Sequence, residues 1–323
     1  MGLCIRYDCL IIYYLHINLP KLTFNFHILA LCSLLGPRTA TIKIDSPEYC
    51  ATCVKLDSIC YNRSYLFELT ANFRKHVVIK KMGILRSNNV LYYTFEPKLK
   101  DPEYFKVAYV SLDSPAFFNG TINDGNTSVT FNFSVFDFNQ NENKIYLGGS
   151  DGIWALEEAN TDRPVLKFFA AKGHKITDVV SKDYVYFTET DSQGIIKDKN
   201  GHFFRKLENK TIESFVLDKD VEYTVVYIHS TGLYAFNSKT NEDVRLSTNR
   251  FFRGLTVDLE GIVYAWYIDG IYKVILDSVL VHSTIRRVSD VIVGTMTFDN
   301  SNNIIYSNGR SLYKLTKTDN TKC

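Results

Sequence analysis

The sequence predicts an all-β chain folded as a six-bladed β-propeller. Three observations predict it: an aromatic-rich composition, an echo with a period near 40 residues, and one hairpin signature inside each echo. The 323 residues include 21 Tyr and 22 Phe but only 3 Met, and aromatic residues favour the pleated, half-buried surface of a sheet. Hydrophobic residues make up 46 % and charged residues 22 %, so the chain can bury a core and is not disordered by composition. The formal net charge is +2, with no long basic run. That excludes nucleic acid as the expected partner, because such binders neutralise phosphates with a basic stripe.

In chain order, residues 1–40 read as a leader. Two apolar runs, 10–19 and 22–35, are split by Pro20 and Lys21. The second ends in Phe26-His27-Ile28-Leu29-Ala30-Leu31-Cys32-Ser33-Leu34-Leu35 and resembles the apolar centre of a signal peptide. A membrane span needs about 20 unbroken apolar residues, and His16, Pro20, Lys21 and His27 interrupt this one. The expected leader is therefore a signal peptide rather than an anchor, with the part before Lys21 read as a misannotated extension. Residues 41–323 are expected to form a single propeller domain with a cysteine-rich start. Without the leader, Cys50, Cys53, Cys60 and Cys323 remain, an even number that predicts two disulfides in an oxidising compartment. No second ligand pair follows Cys50-x2-Cys53 at zinc spacing. Glycosylation sequons begin at Asn62, Asn119, Asn126, Asn132 and Asn209, which fits a secreted, extracellular protein.

Four segments carry the clearest hairpin. They start at Ile145-Tyr146, Val226-Tyr227, Val263-Tyr264 and Ile305-Tyr306, each followed by a short polar or glycine turn and an apolar-aromatic pair. Weaker copies start at Leu91-Tyr92 and Val185-Tyr186. The first tyrosines are spaced by 54, 40, 41, 37 and 42 residues, the period of a four-stranded propeller blade. The long first spacing holds three of the sequons and is expected to be a glycosylated insertion. A further strand precedes each hairpin, as in Phe215-Val216-Leu217-Asp218, Leu255-Thr256-Val257-Asp258 and Met296-Thr297-Phe298-Asp299. It is assigned as the innermost strand, and its Asp as a turn former. A β-sandwich, the alternative fold, has short strands but no such echo.

Gly148-Gly149-Ser150-Asp151-Gly152 matches the hydrolase pattern G-x-S-x-G. That motif needs a strand, an elbow and a helix. Here it falls in the slot that other copies fill with Ile-Asp-Gly or Asn-Gly-Arg, so it is read as a turn. The histidines form no tight metal pair, and no catalytic residue or metal ligand is assigned. Candidate ligand-binding residues lie in the loops that enter the innermost strands: His174, and the run Phe251, Phe252 and Arg253. The rings would stack on a flat ligand and the guanidinium would fork onto its carboxylate. Trp154 and Trp266, at repeat positions, complete the set.

The Cys50-x2-Cys53-x6-Cys60 opening resembles the ommochrome-binding protein family of moths and butterflies. So do Leu85-Arg86-Ser87-Asn88-Asn89-Val90-Leu91-Tyr92-Tyr93-Thr94-Phe95-Glu96-Pro97, Gly148 to Ile153, Arg253 to Asp258 and Asn303 to Ser307. The resemblance covers residues 48–316. It implies a secreted haemolymph or tissue carrier, monomeric and non-enzymatic, holding a tryptophan-derived ommochrome pigment and no other cofactor. It carries no ligand residues over. The rival reading is a metal-dependent lactonase or esterase resembling gluconolactonase-type propellers. That chemistry needs side chains from different blades to converge on one divalent ion, and Asp178, Asp218, Asp258 and Asp299 lie near inner strands.

Overall fold

The structure is a computed structural model that describes residues 54–69, 79–96, 105–116, 118–122, 132–161, 164–218 and 224–318. The predicted leader, Cys50, Cys53, Cys323 and Asn126 lie outside the described residues. A short pair, β1 (Val54–Leu56) and β2 (Ile59–Glu68), comes first. Blade 1 holds β3 (Ile79–Leu85), β4 (Val90–Phe95), β5 (Lys106–Ser111) and β6 (Asn119–Thr121). Blade 2 holds β7 (Phe133–Asn139), β8 (Lys144–Gly149), β9 (Gly152–Glu157) and β10 (Val165–Ala170). Blade 3 holds β11 (Ile176–Ser181), β12 (Val185–Glu189), β13 (Ile195–Lys199) and β14 (His202–Lys206). Blade 4 holds β15 (Ser214–Leu217), β16 (Thr224–His229), β17 (Gly232–Asn237) and β18 (Glu242–Ser247). Blade 5 holds β19 (Gly254–Val257), β20 (Val263–Tyr267), β21 (Gly270–Ile275) and β22 (Thr284–Ser289). The last three strands, β23 (Met296–Phe298), β24 (Ile304–Asn308) and β25 (Ser311–Lys317), begin blade 6.

Six antiparallel sheets result, and the chain is a six-bladed β-propeller; the sandwich alternative is excluded. Each of the six repeat tyrosines sits on the second strand of its blade. In blades 4 and 5 the tight turn between second and third strands requires its glycine. Gly232 and Gly270 open the third strands of blades 4 and 5 at φ +141° and +142°. A Cβ there would lie 2.0 Å from Ser247 O and 1.9 Å from Ser289 O, where the fourth strand ends. The long first spacing is divided between two connections, β4 to β5 and β6 to β7. The sequons straddle the second: Asn119 is exposed on β6, and Asn132 is half-buried just before β7. The Asn132 side-chain oxygen accepts the Phe105 N–H at 2.8 Å. Asn62 and Asn209 are exposed.

Blade 6 is completed from the other end of the chain. β2 pairs antiparallel with β25, Tyr61 opposite Lys317 through Glu68 opposite Ser311, and β1 adds a fifth strand outside it. The ring is thus closed by main-chain hydrogen bonds between early and late residues. The Asp57 N–H donates to Val288 O at 2.7 Å, and Arg286 pairs with Asp57 at 2.8 Å, fastening the β1–β2 turn to blade 5. Cys60, on β2, is disulfide-bonded.

The core lies between blades. Tyr92, Phe136 and Phe138 interlock edge to face between blades 1 and 2, with centroids 5.4 to 6.5 Å apart. Such pairs add to the burial of their large apolar area. The six inner strands β3, β7, β11, β15, β19 and β23 surround a central channel.

Candidate functional site

The channel holds a cavity with a volume of about 490 Å³ and lining from all six inner strands. Residues at or just before the starts of the inner strands, including Lys80, Glu213 and Arg253, ring one mouth. Residues that follow them, including Arg86, Gln140, Lys182 and Asp258, ring the far end.

Midway, charged side chains from three blades meet. The Lys81 ammonium, from β3, donates to Asp178 Oδ1 at 2.9 Å and to Val179 O at 3.0 Å on β11. It reaches past the intervening blade, whose β7 supplies Asp137. Asp178 is nearly buried and fully engaged. Its Oδ1 also accepts the Val179 N–H at 2.9 Å, and its Oδ2 accepts Ser214 Oγ at 2.8 Å and the Phe215 N–H at 3.1 Å. Asp137 accepts the Ser181 N–H at 2.7 Å. Burial pushes the Asp137 carboxyl above the usual carboxylate range, opposed by Lys81. Burial alone would lower Lys81, but Asp178 and Asp137 outweigh it and hold the ammonium above the ordinary lysine value. Lys80, at the mouth, is shifted the other way, by burial and by the neighbouring Lys81 and Lys175 charges.

The expectation that the inner-strand aspartates are turn formers holds for two of them. Asp258 Oδ1 accepts the N–H groups of Glu260 and Ile262, and Asp299 Oδ1 those of Ser301 and Asn303. Asp178 instead stands within β11 and serves the Lys81 cluster. The apparent serine motif is a hairpin turn, with Gly149 paired to Gly152 across Ser150 and Asp151.

Of the predicted ligand residues, the structure brings Phe252, Arg253 and Trp266 to the channel. Arg253 is exposed at the mouth, where its N–H donates to Trp266 O at 2.9 Å. Trp266 lies against Gly254 and donates its indole N–H to Gly294 O at 3.2 Å. Phe252 is buried edge-on against Tyr272 at 5.4 Å. The other three do not line the channel. Phe251 is 55 % exposed and stacks on Tyr267 at 6.2 Å. Trp154 packs edge-on against Phe168 at 5.6 Å, on the third strand of blade 2. His174 holds the blade 2 to blade 3 connection, with its ring 3.0 Å from Glu189 and its carbonyl accepting the Gly152 N–H at 2.8 Å. Lys81, Asp137 and Glu213 were not predicted. For the first two a signal exists in the sequence: a charge set inside an otherwise apolar inner strand.

The far end is stitched between blades. Gln140 accepts the Arg86 N–H at 2.9 Å and donates to Ile84 O at 2.8 Å. Asn300 donates to Arg86 O at 2.9 Å, Asn302 accepts the Leu259 N–H at 3.0 Å, and Lys182 donates to Asp218 O at 2.6 Å.

A divalent ion does not suit this donor set. Among the described residues no three His, Cys, Asp or Glu side chains come together as ligands, and Asp178 is already paired with the Lys81 ammonium. No described helix is long and apolar enough to cross a membrane.

No protein-family model matches the chain. The ommochrome-binding protein of Manduca sexta is 22 % identical over 243 residues, 73 % of this chain and 81 % of that protein. Among solved structures, a gluconolactonase from Xanthomonas campestris superposes with a TM-score of 0.58 at 12 % identity, covering 82 % of this chain and 95 % of that one. A putative gluconolactonase gives a TM-score of 0.53 at 9 % identity, covering 82 % and 94 %. A Bacteroides thetaiotaomicron protein of unknown function gives 0.52 at 14 %, covering 80 % and 76 %. Identities this low between structures speak for the fold alone. In sequence the chain is similar to an ommochrome-binding protein, and in fold to propellers that include gluconolactonases.

Proposed function

We propose that the chain is a secreted, glycosylated carrier of a small aromatic pigment of the ommochrome class, held at the mouth of the propeller channel. The observation that carries this reading is the mouth itself. An exposed cation, Arg253, stands with the channel-lining Trp266 at the entrance to a cavity of about 490 Å³. A pocket of this size with a few placed charges suits a small conjugated molecule. Sequence similarity along four fifths of a protein named for binding ommochromes supports the ligand class.

The fold likeness to gluconolactonases favours a second reading, a metal-dependent lactonase. The Lys81 ammonium argues against it, because it already pairs with Asp178 at 2.9 Å and its charge also acts on Asp137. The experiment is to express the full chain in insect cells and record the visible spectrum and metal content of the secreted protein. A bound chromophore, or uptake of a purified ommochrome with a shifted absorbance band, is expected. One tightly held divalent ion per chain together with lactone turnover would overturn the carrier reading. Arg253→Ala is expected to weaken pigment uptake at least tenfold, the effect of losing one charge-assisted contact.

A further inference from the structure

Glu213, Arg253 and Gly294 occupy equivalent places on blades 4, 5 and 6. Each precedes its inner strand and donates its backbone N–H to the second strand of its own blade: to Ile228 O at 2.9 Å, Trp266 O at 2.9 Å and Ser307 O at 2.7 Å. Glu213 and Arg253 therefore stand at one height on neighbouring blades, and both line the channel. Their charges are opposite, yet neither side chain has a hydrogen bond or ion pair among the described residues. The next place along the ring, Gly294, presents no side chain.

The other charges in this part of the channel are engaged. Lys81 and Asp178 hold each other, Asp137 takes the Ser181 N–H, and Lys80 donates to Thr177 O at 3.3 Å. What is left over at the mouth is one anion and one cation on neighbouring blades, with Trp266 among the residues that line the channel.

We propose that Glu213 and Arg253 form a receptor for a zwitterion: the α-ammonium and α-carboxylate of an aromatic amino acid, or of a pigment that bears one as a side chain. This rests on the carrier reading for its aromatic body and adds the head group that the mouth selects. The guanidinium forks onto the carboxylate and the glutamate accepts from the ammonium. The ring system lies toward the channel wall at Trp266. A plain carboxylate ligand would meet Arg253 but also the repulsion of Glu213, and a plain amine would meet the reverse. Only a ligand with both charges on adjacent groups satisfies both residues, and it leaves neither unpaired when water is displaced.

The test uses the full secreted chain and three matched probes: L-kynurenine, its decarboxylated amine, and the corresponding acid without the α-amine. Binding is measured by isothermal titration. L-kynurenine is expected to bind at least tenfold more tightly than either single-charge probe, the effect of one charge-assisted hydrogen bond. Arg253→Leu is expected to abolish the preference over the amine, and Glu213→Gln the preference over the acid, with circular dichroism unchanged. Equal affinities within about twofold, no binding of any probe, or an unchanged ranking in both variants would overturn the proposal. The carrier reading is judged separately, by pigment uptake. Pigment uptake without zwitterion preference sinks the receptor alone. Zwitterion preference without pigment uptake sinks the pigment carrier and leaves the receptor.

Discussion

Replacing Lys81 with methionine removes the ammonium from the channel cluster while keeping the length of the stem. Removing one partner of a buried ion pair costs about 3–5 kcal/mol, because a buried charge is left behind. Two features reduce this here. The Lys81 side chain keeps 26 % of its exposure, facing the channel. Asp178 keeps three other donors, the N–H groups of Val179 and Phe215 and the Ser214 hydroxyl. A loss of about 2 kcal/mol is therefore expected, or a Tm lower by about 4–8 °C for a domain of this size. Urea unfolding at pH 7 measures it. The pairing is isolated by a cycle with Asp178→Asn, whose double variant should be less destabilised than the sum of the singles by at least about 1 kcal/mol. Acid should relieve the Lys81→Met defect. Asp137 already has a raised folded value, and without Lys81 it rises further. A carboxyl raised on folding destabilises in full above its folded value; the penalty shrinks as pH falls through that value and is gone below the unfolded one. The deficit should thus be smaller at pH 5 than at pH 8. Additive single variants, or Lys81→Met as stable as the parent at pH 8, would refute the cluster as described.

Three further outcomes follow from the fold. Gly270→Ala should cost about 3 kcal/mol, from a left-handed φ and a Cβ driven onto Ser289 O; Gly309→Ala, at φ +61° with nothing within 4 Å, should cost about 1 kcal/mol by thermal unfolding. Deleting the chain through Glu68 removes β1 and β2, uncovers β25 and should leave no cooperative thermal transition; an intact transition would show that blade 6 does not need them. Burial would raise the Asp299 carboxyl, but Lys314 at 2.7 Å and the turn amides outweigh it and hold it below the usual range. A carboxyl depressed on folding stabilises above its unfolded value and loses that effect as pH falls through its folded one. Asp299→Asn should therefore lower Tm at pH 7 and make little difference below about pH 3.

The blade count was legible because the glycine turn and the repeat tyrosine are imposed locally. At Gly270, both the backbone conformation and the approach of Ser289 exclude a side chain, and Gly232 meets the same two constraints in blade 4. The closure by β2 was not legible. Asn62, Arg63, Ser64 and Tyr65 are all exposed, so the strand lacks the apolar alternation that marks a partner face. Its partner lies some 250 residues away, across Ser64 and Lys314. The candidate site was legible in part for a similar reason. Sequence placed Phe251, Phe252 and Arg253 in the loop that enters β19 but carried no information on direction. One ring turned into the core, one turned outward, and the guanidinium stayed at the mouth. Lys81 and Asp178 are 97 residues apart, and only the curvature of the ring makes them neighbours.

The stitching at the far end makes the two faces of the propeller unequal as material for change. Gln140, Lys182, Asn300 and Asn302 each hold a neighbouring blade by a main-chain atom, so a substitution there loosens two blades at once. At the opposite face, Glu213 and Arg253 hold only by their own backbones, and their side chains are spare. A descendant of this chain can acquire a new ligand by altering two or three residues on that face while the seam beneath stays closed.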